Sequence, residues 1–522
     1  AGGRPEDAAL CDDRDNLYDP VVEHRDRSAE AGRAALAGTV RVFAAEALMF
    51  PTGLVTAAFL TRWLGADGYG VFSLAALVVA WLQWASVSLL SRSTIVAIRG
   101  AADWRPLATR ILQLHLALGI LGAALLWLAA PLVARALELP SLGFYLRLFA
   151  IDLPLFVYAH GHRNIATGLG RFGHRARIVA TRWIARMALI VLLVGLGLSV
   201  TGAILASIGA SALELLVALR YDRAPVFARA GVSSRPFLAT TAPLLLAAIA
   251  LRVLQDADLF ALKALGASAA EAGFYAAARN LSLASNVFAA AFSPLILSTL
   301  ARLVREGDLD HARDMSRDAL RLSLLLVPFA ALAAGASGGI VRLIFGPDFA
   351  PAAPLLARLV FAGVAVAVMS VGGAILIAGG RLNRPGRILA ALLPLTIAAH
   401  VWAIPRYGAI GAAWVSTGAM AAGAALTLVA VARMWGVVPP LASVARVSLV
   451  ALAAAIAARA WSPPGWALVA ELVLLAAAIP LALIALGEFS RRELAVARNA
   501  LLPGRAPNTA DTAESSGRSA EG

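Results

Sequence analysis

The sequence LGADGYGVF at residues 64–72 returns in altered form as LGASAAEAGFY at residues 265–275. Each copy follows the end of one long apolar segment and precedes the next. Recurrence at a fixed place between apolar segments indicates a duplicated unit, and internal repeats decide the architecture of a chain before any local pattern does.

Two further echoes occur in the same order along the chain. GRFGHRARI at residues 170–178 matches GRLNRPGRI at 380–388, and GAILASIGA at 202–210 matches GAAWVSTGA at 411–419. Together they define a repeat of about 200 residues. In a membrane chain, two parallel repeats are typical of a transporter whose binding site lies at the repeat interface.

Composition places the chain in a membrane. Of the 522 residues, 60% are hydrophobic and only 15% are charged, and the mean hydropathy is +0.79. Soluble domains have about half apolar and a quarter charged residues. The net charge of +14 comes from arginines that fall mostly in short loops between apolar segments, so it indicates membrane topology and not nucleic-acid binding.

Several kinds of chemistry lack the residues that they need. Cys11 is the only cysteine and Lys263 the only lysine, so a disulfide framework, a thiolate metal cluster and a Walker lysine are excluded within this sequence. No HExxH pair is present, and every predicted outer loop is short. We expect neither an enzyme nor a cofactor or metal site, and no secretory leader is visible before the first apolar segment.

The hydropathy pattern predicts an all-α integral membrane protein with about fourteen spans. Each span needs about 20 mainly apolar residues. The predicted spans are 39–62, 70–91, 110–134, 144–162, 178–198, 201–219, 237–262, 273–299, 321–344, 354–379, 387–404, 408–432, 444–461 and 465–487.

The repeat divides these spans into two six-helix lobes and two extra C-terminal helices. The predicted segments are a polar N-terminal segment (1–37), an N-lobe (38–221), an inter-lobe linker (222–236), a C-lobe (237–433), spans 13 and 14 (434–487) and a C-terminal tail with a disordered end (488–522). With both termini inside, inner loops hold roughly 22 basic residues and outer loops roughly 8, as the positive-inside rule expects.

Charged residues within the spans are the candidate site residues. A charge at a helix centre costs roughly 2.5–3.5 kcal/mol on insertion scales, so such groups normally face the interior of the bundle. Alternatives remain: Arg41, Arg182 and Arg186 lie near the inner surface and can snorkel to water, and Arg252 and Asp256, four apart on one helix, can simply pair. The candidates in the first two spans of each lobe are Arg41, Glu46, Arg252, Asp256, Asp258 and Arg279.

The arginines favour an anionic cargo. The guanidinium fork stays charged and matches phosphate oxygens, so Arg41, Arg252 and Arg279 are the candidate substrate contacts in a cavity between the lobes. A lipid-linked sugar diphosphate is an amphipathic, anionic cargo for such a cavity. Glu46, Asp256 and Asp258 are candidates for coupling to Na⁺ or H⁺.

The chain resembles the polysaccharide flippase family, in the superfamily that also holds multidrug extruders and the lipid II flippase. The resemblance covers roughly residues 38–505 and is carried by short motifs between spans. These are LG…YGVF at 64–72, Asp258 with LG and GFYAAA at 265–278, FGPDF with AAPLL at 345–356, and YGA with GAA at 407–413.

This resemblance implies two six-helix bundles meeting in a V, alternating access, and undecaprenyl-diphosphate oligosaccharide as cargo. It also implies the bacterial inner membrane as location and a polysaccharide polymerase or export system as partner. Asp258 occupies a frequent acidic position of the family. A lipid II-type flippase, a cation-coupled multidrug exporter and a membrane glycan polymerase or ligase are the alternatives.

Overall fold

The computed structural model describes residues 38, 40–221, 252, 256–282, 285–381 and 383–489, with backbone alone for residues 285–291. In this part of the chain the regular structure is helical and contains no strand. The helices of the N-lobe are α1 Met49–Gly100, α2 Arg105–Ala136, α3 Pro140–Phe149, α4 Asp152–Gly168, α5 Phe172–Leu193 and α6 Ser199–Tyr221.

The described helices of the C-lobe lie between residues 256 and 435. Residues 256–264 are helical. The helices that follow are α7 Ala269–Ser282, α8 Ser285–Glu306, α9 Leu309–Leu324, α10 Leu326–Gly335, α11 Ser337–Phe345, a 3₁₀ turn Pro347–Ala352, α12 Ala353–Ala378 and α13 Arg384–Trp435. Two further helices, α14 Leu441–Ala460 and α15 Ala467–Ala485, pack against α10 and form spans 13 and 14.

The predicted class, an all-helical integral membrane protein, is confirmed. Nine helices in the described part are long and apolar enough to span a membrane. Three of them run over Val40–Gly100, Phe172–Tyr221 and Arg384–Trp435, with 61, 50 and 52 residues. At 1.5 Å per residue each is about 75 Å or longer, which is more than twice the bilayer core of about 30 Å.

Glycines with positive φ break these long helices where the sequence predicts a turn between spans. They are Gly65 (φ 66°), Gly197 (φ 91°) and Gly408 (φ 56°). Gly65 lies between predicted spans 1 and 2, Gly197 lies one residue before the predicted end of span 5, and Gly408 is the first residue of predicted span 12. Each long helix therefore accounts for a pair of spans. The count of fourteen remains a prediction, because spans 7 and 8 lie partly outside the described residues.

Three of the predicted segments also fall outside, wholly or in large part. These are the N-terminal segment 1–37, the linker 222–236 and all of the tail beyond residue 489. The boundaries of the lobes therefore remain predictions.

The two copies of the opening motif pack directly against each other. A Cβ added at Gly70 would lie 2.0 Å from the carbonyl oxygen of Ala269, and one added at Gly273 would lie 2.1 Å from that of Ala66. The contact is reciprocal, because Ala66 and Gly70 are spaced as Ala269 and Gly273 are. Small residues four apart let two helix backbones touch in a membrane. We call these four residues the glycine junction.

An aromatic cluster covers the glycine junction. Phe349, in the 3₁₀ turn, makes edge contacts with Tyr69 of the N-lobe and Phe274 of the C-lobe, at ring-centroid distances of 6.1 and 5.4 Å. Arg62 also donates a hydrogen bond across the lobes to the carbonyl oxygen of Leu343, at 2.6 Å. The lobes are thus closed together at the end that the predicted topology assigns to the outer face.

Ion pairs at the opposite end join positions that the predicted topology places on the inner side. Glu488 lies between Arg321 at 2.6 Å and Arg446 at 3.3 Å, and it ties spans 13 and 14 to the C-lobe. Arg175 pairs with Glu46 at 3.2 Å. These contacts agree with the predicted alternation of the spans.

Candidate substrate cavity between the lobes

A cavity of about 450 Å³ lies between the lobes, beside the glycine junction. Its walls come from α1, α5, residues 252–259, α7, α12 and α13, so both repeats contribute. We call it the polar cavity because five charged side chains line it: Arg186, Arg252, Asp256, Asp258 and Arg279.

Asp256 is the centre of the charged wall. Its carboxylate accepts hydrogen bonds from Trp81 Nε1 at 2.9 Å and from Arg279, and it forms an ion pair with Arg252, whose Nε lies 2.5 Å away. The pair with Arg252 is the intrahelical one that four-residue spacing allows. The contacts with Arg279 and with Trp81 of the N-lobe join different helices, and only the tertiary structure reveals them.

Asp258 is also buried and forms a second cluster of polar contacts. It is 5% exposed and accepts hydrogen bonds from Tyr275 Oη at 2.8 Å and Ser416 Oγ at 3.3 Å. Ser416 Oγ lies 3.4 Å from His400 Nε2, and Arg279 Nε lies 3.9 Å from the Asp258 carboxylate. A buried carboxylate linked to a hydroxyl and an imidazole is a group that can take up a cation or a proton. The described residues contain no group of three or more His, Cys, Asp or Glu side chains placed to hold a metal ion.

Arg186 lines the polar cavity although the sequence favoured snorkelling for it. Its Nε donates to Ser207 Oγ at 3.3 Å, which holds the side chain against α6. The spacing of Arg182 and Arg186 in span 5 was visible in the sequence, but which of the two faces the cavity depends on the rotation of the helix. With Arg186 included, the described residues that line the cavity carry three positive and two negative formal charges, a net charge of +1.

The structure therefore brings together four of the six predicted site residues: Arg252, Asp256, Asp258 and Arg279. It places the other two elsewhere. Arg41 is exposed at the start of the first helix, and Glu46 pairs with Arg175 with 41% of its side chain exposed. Neither lines the polar cavity.

A second charged cluster lies inside the N-lobe, away from the cavity wall. Glu214 is fully buried between Arg163 at 3.1 Å and Arg182 at 3.4 Å, and Arg182 also donates to Ser211 Oγ at 3.0 Å. Nearby, Gln83 donates to the buried carboxylate of Asp152 at 2.5 Å. Arg182 is 8% exposed, so it does not reach the membrane surface as the snorkelling alternative required.

Fold and cavity together define a class: a two-lobed, all-helical membrane protein with a charged cavity at the repeat interface, the arrangement of a transporter. A family model described as "Polysaccharide biosynthesis protein" matches residues 59–354, which is more than half of the chain. The chain belongs to that family, as the sequence resemblance predicted. No curated protein matches it.

Solved structures share the fold at low sequence identity. Lipid II flippase MurJ, in an inward closed conformation, has a TM-score of 0.68 and 12% identity, covering 88% of this chain and 99% of its own. The eukaryotic MATE transporter AtDTX14 has a TM-score of 0.57 and 12% identity, covering 81% and 100%. A MOP superfamily transporter from Pyrococcus furiosus has 0.53 and 13%, covering 80% and 96%.

These structures carry the titles of a flippase and of transporters. The chain shares their fold.

Proposed function

We propose that the protein moves undecaprenyl-diphosphate-linked oligosaccharide across the bacterial inner membrane by alternating access. Membership of a polysaccharide biosynthesis family and the fold shared with a lipid II flippase support a lipid-linked glycan as cargo. The observation that carries the proposal is the polar cavity, which both repeats line and whose charge is net positive.

The positive net charge of the cavity favours an anionic cargo. A diphosphate is attracted to a net positive cavity, and in a low-dielectric surrounding this attraction is stronger than in water. Arg252 and Arg279 share Asp256, so a diphosphate oxygen can replace the carboxylate as their acceptor without leaving a cation unpaired. The same charge disfavours the organic cations of a multidrug exporter.

The glycine junction supports alternating access as the mechanism, because it closes one side of the polar cavity. The polar cavity is closed beside this contact, so cargo reaches it from the opposite, inner side. Rocking of the N-lobe against the C-lobe separates Gly70 from Gly273, breaks the contact of Tyr69 with Phe349 and the hydrogen bond of Arg62, and opens the outer side. Both termini are then cytoplasmic, and a polysaccharide polymerase or export system receives the product.

Asp258 is the proposed coupling residue. It is buried and hydrogen-bonded to Tyr275 and Ser416, and it lies within reach of Arg279, so a cation or proton bound there changes the charge that Arg279 presents to the cavity. Asp256 already holds two arginines, and Glu46 lies outside the cavity, so both fit this role less well.

A lipid II-type flippase is the second candidate. The TM-score of 0.68 to MurJ favours it, since lipid II also carries a prenyl diphosphate. Only the glycan distinguishes the two cargoes.

Transport in proteoliposomes tests the proposal. Fluorescent undecaprenyl-diphosphate oligosaccharide, lipid II and an organic cation are offered separately, and movement between leaflets is measured by quenching. We expect flipping of the oligosaccharide lipid and none of the cation. Preference for lipid II would select the second candidate, and movement of the cation alone would overturn both.

A paired variant tests the charge argument. Arg252→Ala with Arg279→Ala turns the net charge of the cavity from positive to negative, and we expect at least a hundredfold loss of transport at normal protein level. Arg252→Ala with Asp256→Ala is the matched control, because it removes one charge of each sign. Full transport in the first pair contradicts the proposed site.

A further inference from the structure

A second cavity of about 400 Å³ adjoins the polar cavity. It is built mainly from the first part of α1, with contributions from α5 and α7, and Arg186 is the one charged side chain among the described residues that line it. Its remaining walls are almost entirely apolar and include Leu54, Leu60, Trp183 and Leu281. We call it the apolar chamber.

The two cavities share a wall. Four residues line both cavities: Tyr69, Phe72, Arg186 and Asn280. The polar side chains of Arg186 and Asn280 therefore border the apolar chamber and the polar cavity at once. A cation and an amide thus stand at the boundary between a charged compartment and an apolar one. This arrangement matches an amphipathic molecule whose charged group joins a polar part to an apolar part.

Arg186 differs from the other two arginines of the cavity. Arg252 and Arg279 are both held by Asp256, whereas no ion pair to a carboxylate is formed by Arg186 within the described part of the chain. Its one hydrogen bond runs from Nε to the neutral hydroxyl of Ser207, at 3.3 Å. The terminal nitrogens of the guanidinium keep their donors for an anion, and a fork of two donors is the geometry that phosphate oxygens accept.

We infer that Arg186 and Asn280 hold the phosphate of a prenyl-phosphate lipid, with the first part of its chain in the apolar chamber and its polar headgroup in the polar cavity. The inference rests on the proposed function, since that proposal identifies the headgroup of the lipid as a glycan. It assigns the phosphate nearest the prenyl chain to Arg186 and leaves the second phosphate of a diphosphate to Arg252 and Arg279, which line the same cavity.

Binding to the full-length protein in nanodiscs tests the assignment without any transport step. The probes are undecaprenyl diphosphate, undecaprenol and inorganic diphosphate. We expect Arg186→Ala to weaken binding of undecaprenyl diphosphate at least tenfold and to leave that of undecaprenol unchanged. Arg406→Ala is the matched control, because Arg406 is exposed and lines neither cavity. It should change the binding of neither lipid.

The apolar chamber is tested separately. A Cβ at Gly53 meets nothing within 4 Å, and this glycine lines the chamber, so Gly53→Phe places a ring in it. We expect weaker binding of both prenyl probes. Gly418→Phe is the matched control, because Gly418 is exposed on α13 and its added Cβ also meets nothing within 4 Å.

The outcomes separate the inference from the proposed function. Unchanged binding in Arg186→Ala, or an equal loss for undecaprenol, overturns the phosphate assignment even if the protein flips lipid-linked glycan. Inorganic diphosphate that binds as tightly as the prenyl lipid overturns the role of the chamber. If Arg186→Ala does not fold, Asn280→Leu, at an exposed position, should show the same selective loss. Normal selective binding without flipping contradicts only the proposed function.

Discussion

The interiors of the two lobes differ although their helices are repeats. The echo of 170–178 in 380–388 makes Leu392 the counterpart of Arg182, and the echo of 202–210 in 411–419 makes Gly423 the counterpart of Glu214. The N-lobe pair is a buried ion pair, whereas Leu392 packs in an apolar cluster with Val368, Met420 and Ala424.

The difference shows where charge is available for function. In the N-lobe, buried charges neutralise one another inside the helix bundle and hold α4, α5 and α6 together. In the C-lobe, the bundle is apolar and the charges lie on residues 252–279, at the cavity. The N-lobe thus holds its ion cluster inside the helix bundle, whereas the charges of the C-lobe line the cavity that cargo would enter. Five predictions test this contrast, in order of decreasing effect.

Breaking the N-lobe ion cluster should have the largest effect. Glu214→Gln leaves Arg163 and Arg182 without their carboxylate in a buried site, and we expect the free energy of unfolding to fall by about 3–5 kcal/mol. Thermal unfolding in detergent measures it. The control is Glu306→Gln, whose pair with Arg302 is more than half exposed and should contribute less than about 1 kcal/mol.

A replacement of the whole cluster sharpens the comparison. Arg163→Met with Arg182→Leu and Glu214→Leu gives the N-lobe an apolar interior like that of the C-lobe. Well-packed apolar residues can replace a buried ion cluster at little cost. Stability near that of the natural protein would show that an apolar interior suits both lobes. A loss of stability as large as in Glu214→Gln would show that the N-lobe needs its ion cluster.

The glycine junction should be the next most sensitive place. Gly70→Ala puts a methyl group 2.0 Å from a backbone oxygen, so the lobes must separate. We expect a cost of about 1–3 kcal/mol or more to the closed state, seen as a lower unfolding temperature and slower transport. Gly338→Ala is the control, since its added Cβ meets nothing within 4 Å. Equal effects of Gly70→Ala and Gly338→Ala would contradict a close backbone contact at the glycine junction.

Removing the charge of Asp258 should change transport with little change in stability. Asp258→Asn keeps an acceptor for Tyr275 and Ser416, so the hydrogen bonds persist. We expect about a tenfold slower flipping, which corresponds to about 1.4 kcal/mol, and loss of its dependence on a Na⁺ or H⁺ gradient. Gradient dependence that survives in this variant would exclude Asp258 as the coupling residue.

The smallest effect should come from the ion pairs of Glu488. Burial raises the pKa of this carboxyl, but hydrogen bonds from Arg321, Ser443 and Arg446 outweigh it and lower the pKa. A lowered pKa in the folded state adds stability above the ordinary carboxyl range, and this is lost as the pH falls through the lowered value. Thermal unfolding between pH 7 and pH 3 should show the loss, and Glu488→Gln should show less of it.

Much of the fold could be predicted because it depends on period, length and charge, which a sequence displays directly. The turns at Gly65, Gly197 and Gly408 lie where apolar segments of span length meet. The direct contact of the two motif copies could not be predicted. The sequence identified them as turns that connect helices, and a contact between backbones depends on how the lobes are placed.

The candidate site was predictable to the extent that it depends on burial of charge. Arg252, Asp256, Asp258 and Arg279 were found because charges in apolar spans face the interior of a bundle. Arg186 was missed as a cavity residue, and Arg41 and Glu46 were included, because depth in the membrane can be counted in residues whereas the rotation of a helix cannot.

The glycine junction has a consequence for the history of the chain. Ala66 and Gly70 meet Ala269 and Gly273, which are their own counterparts in the repeat. Before duplication, a single six-helix unit would have made this contact with a second copy of itself, as a symmetric homodimer. One mutation would then have altered both sides of the interface at once. Duplication let the two sides of the interface change independently, and here each glycine still accommodates the backbone of the other repeat.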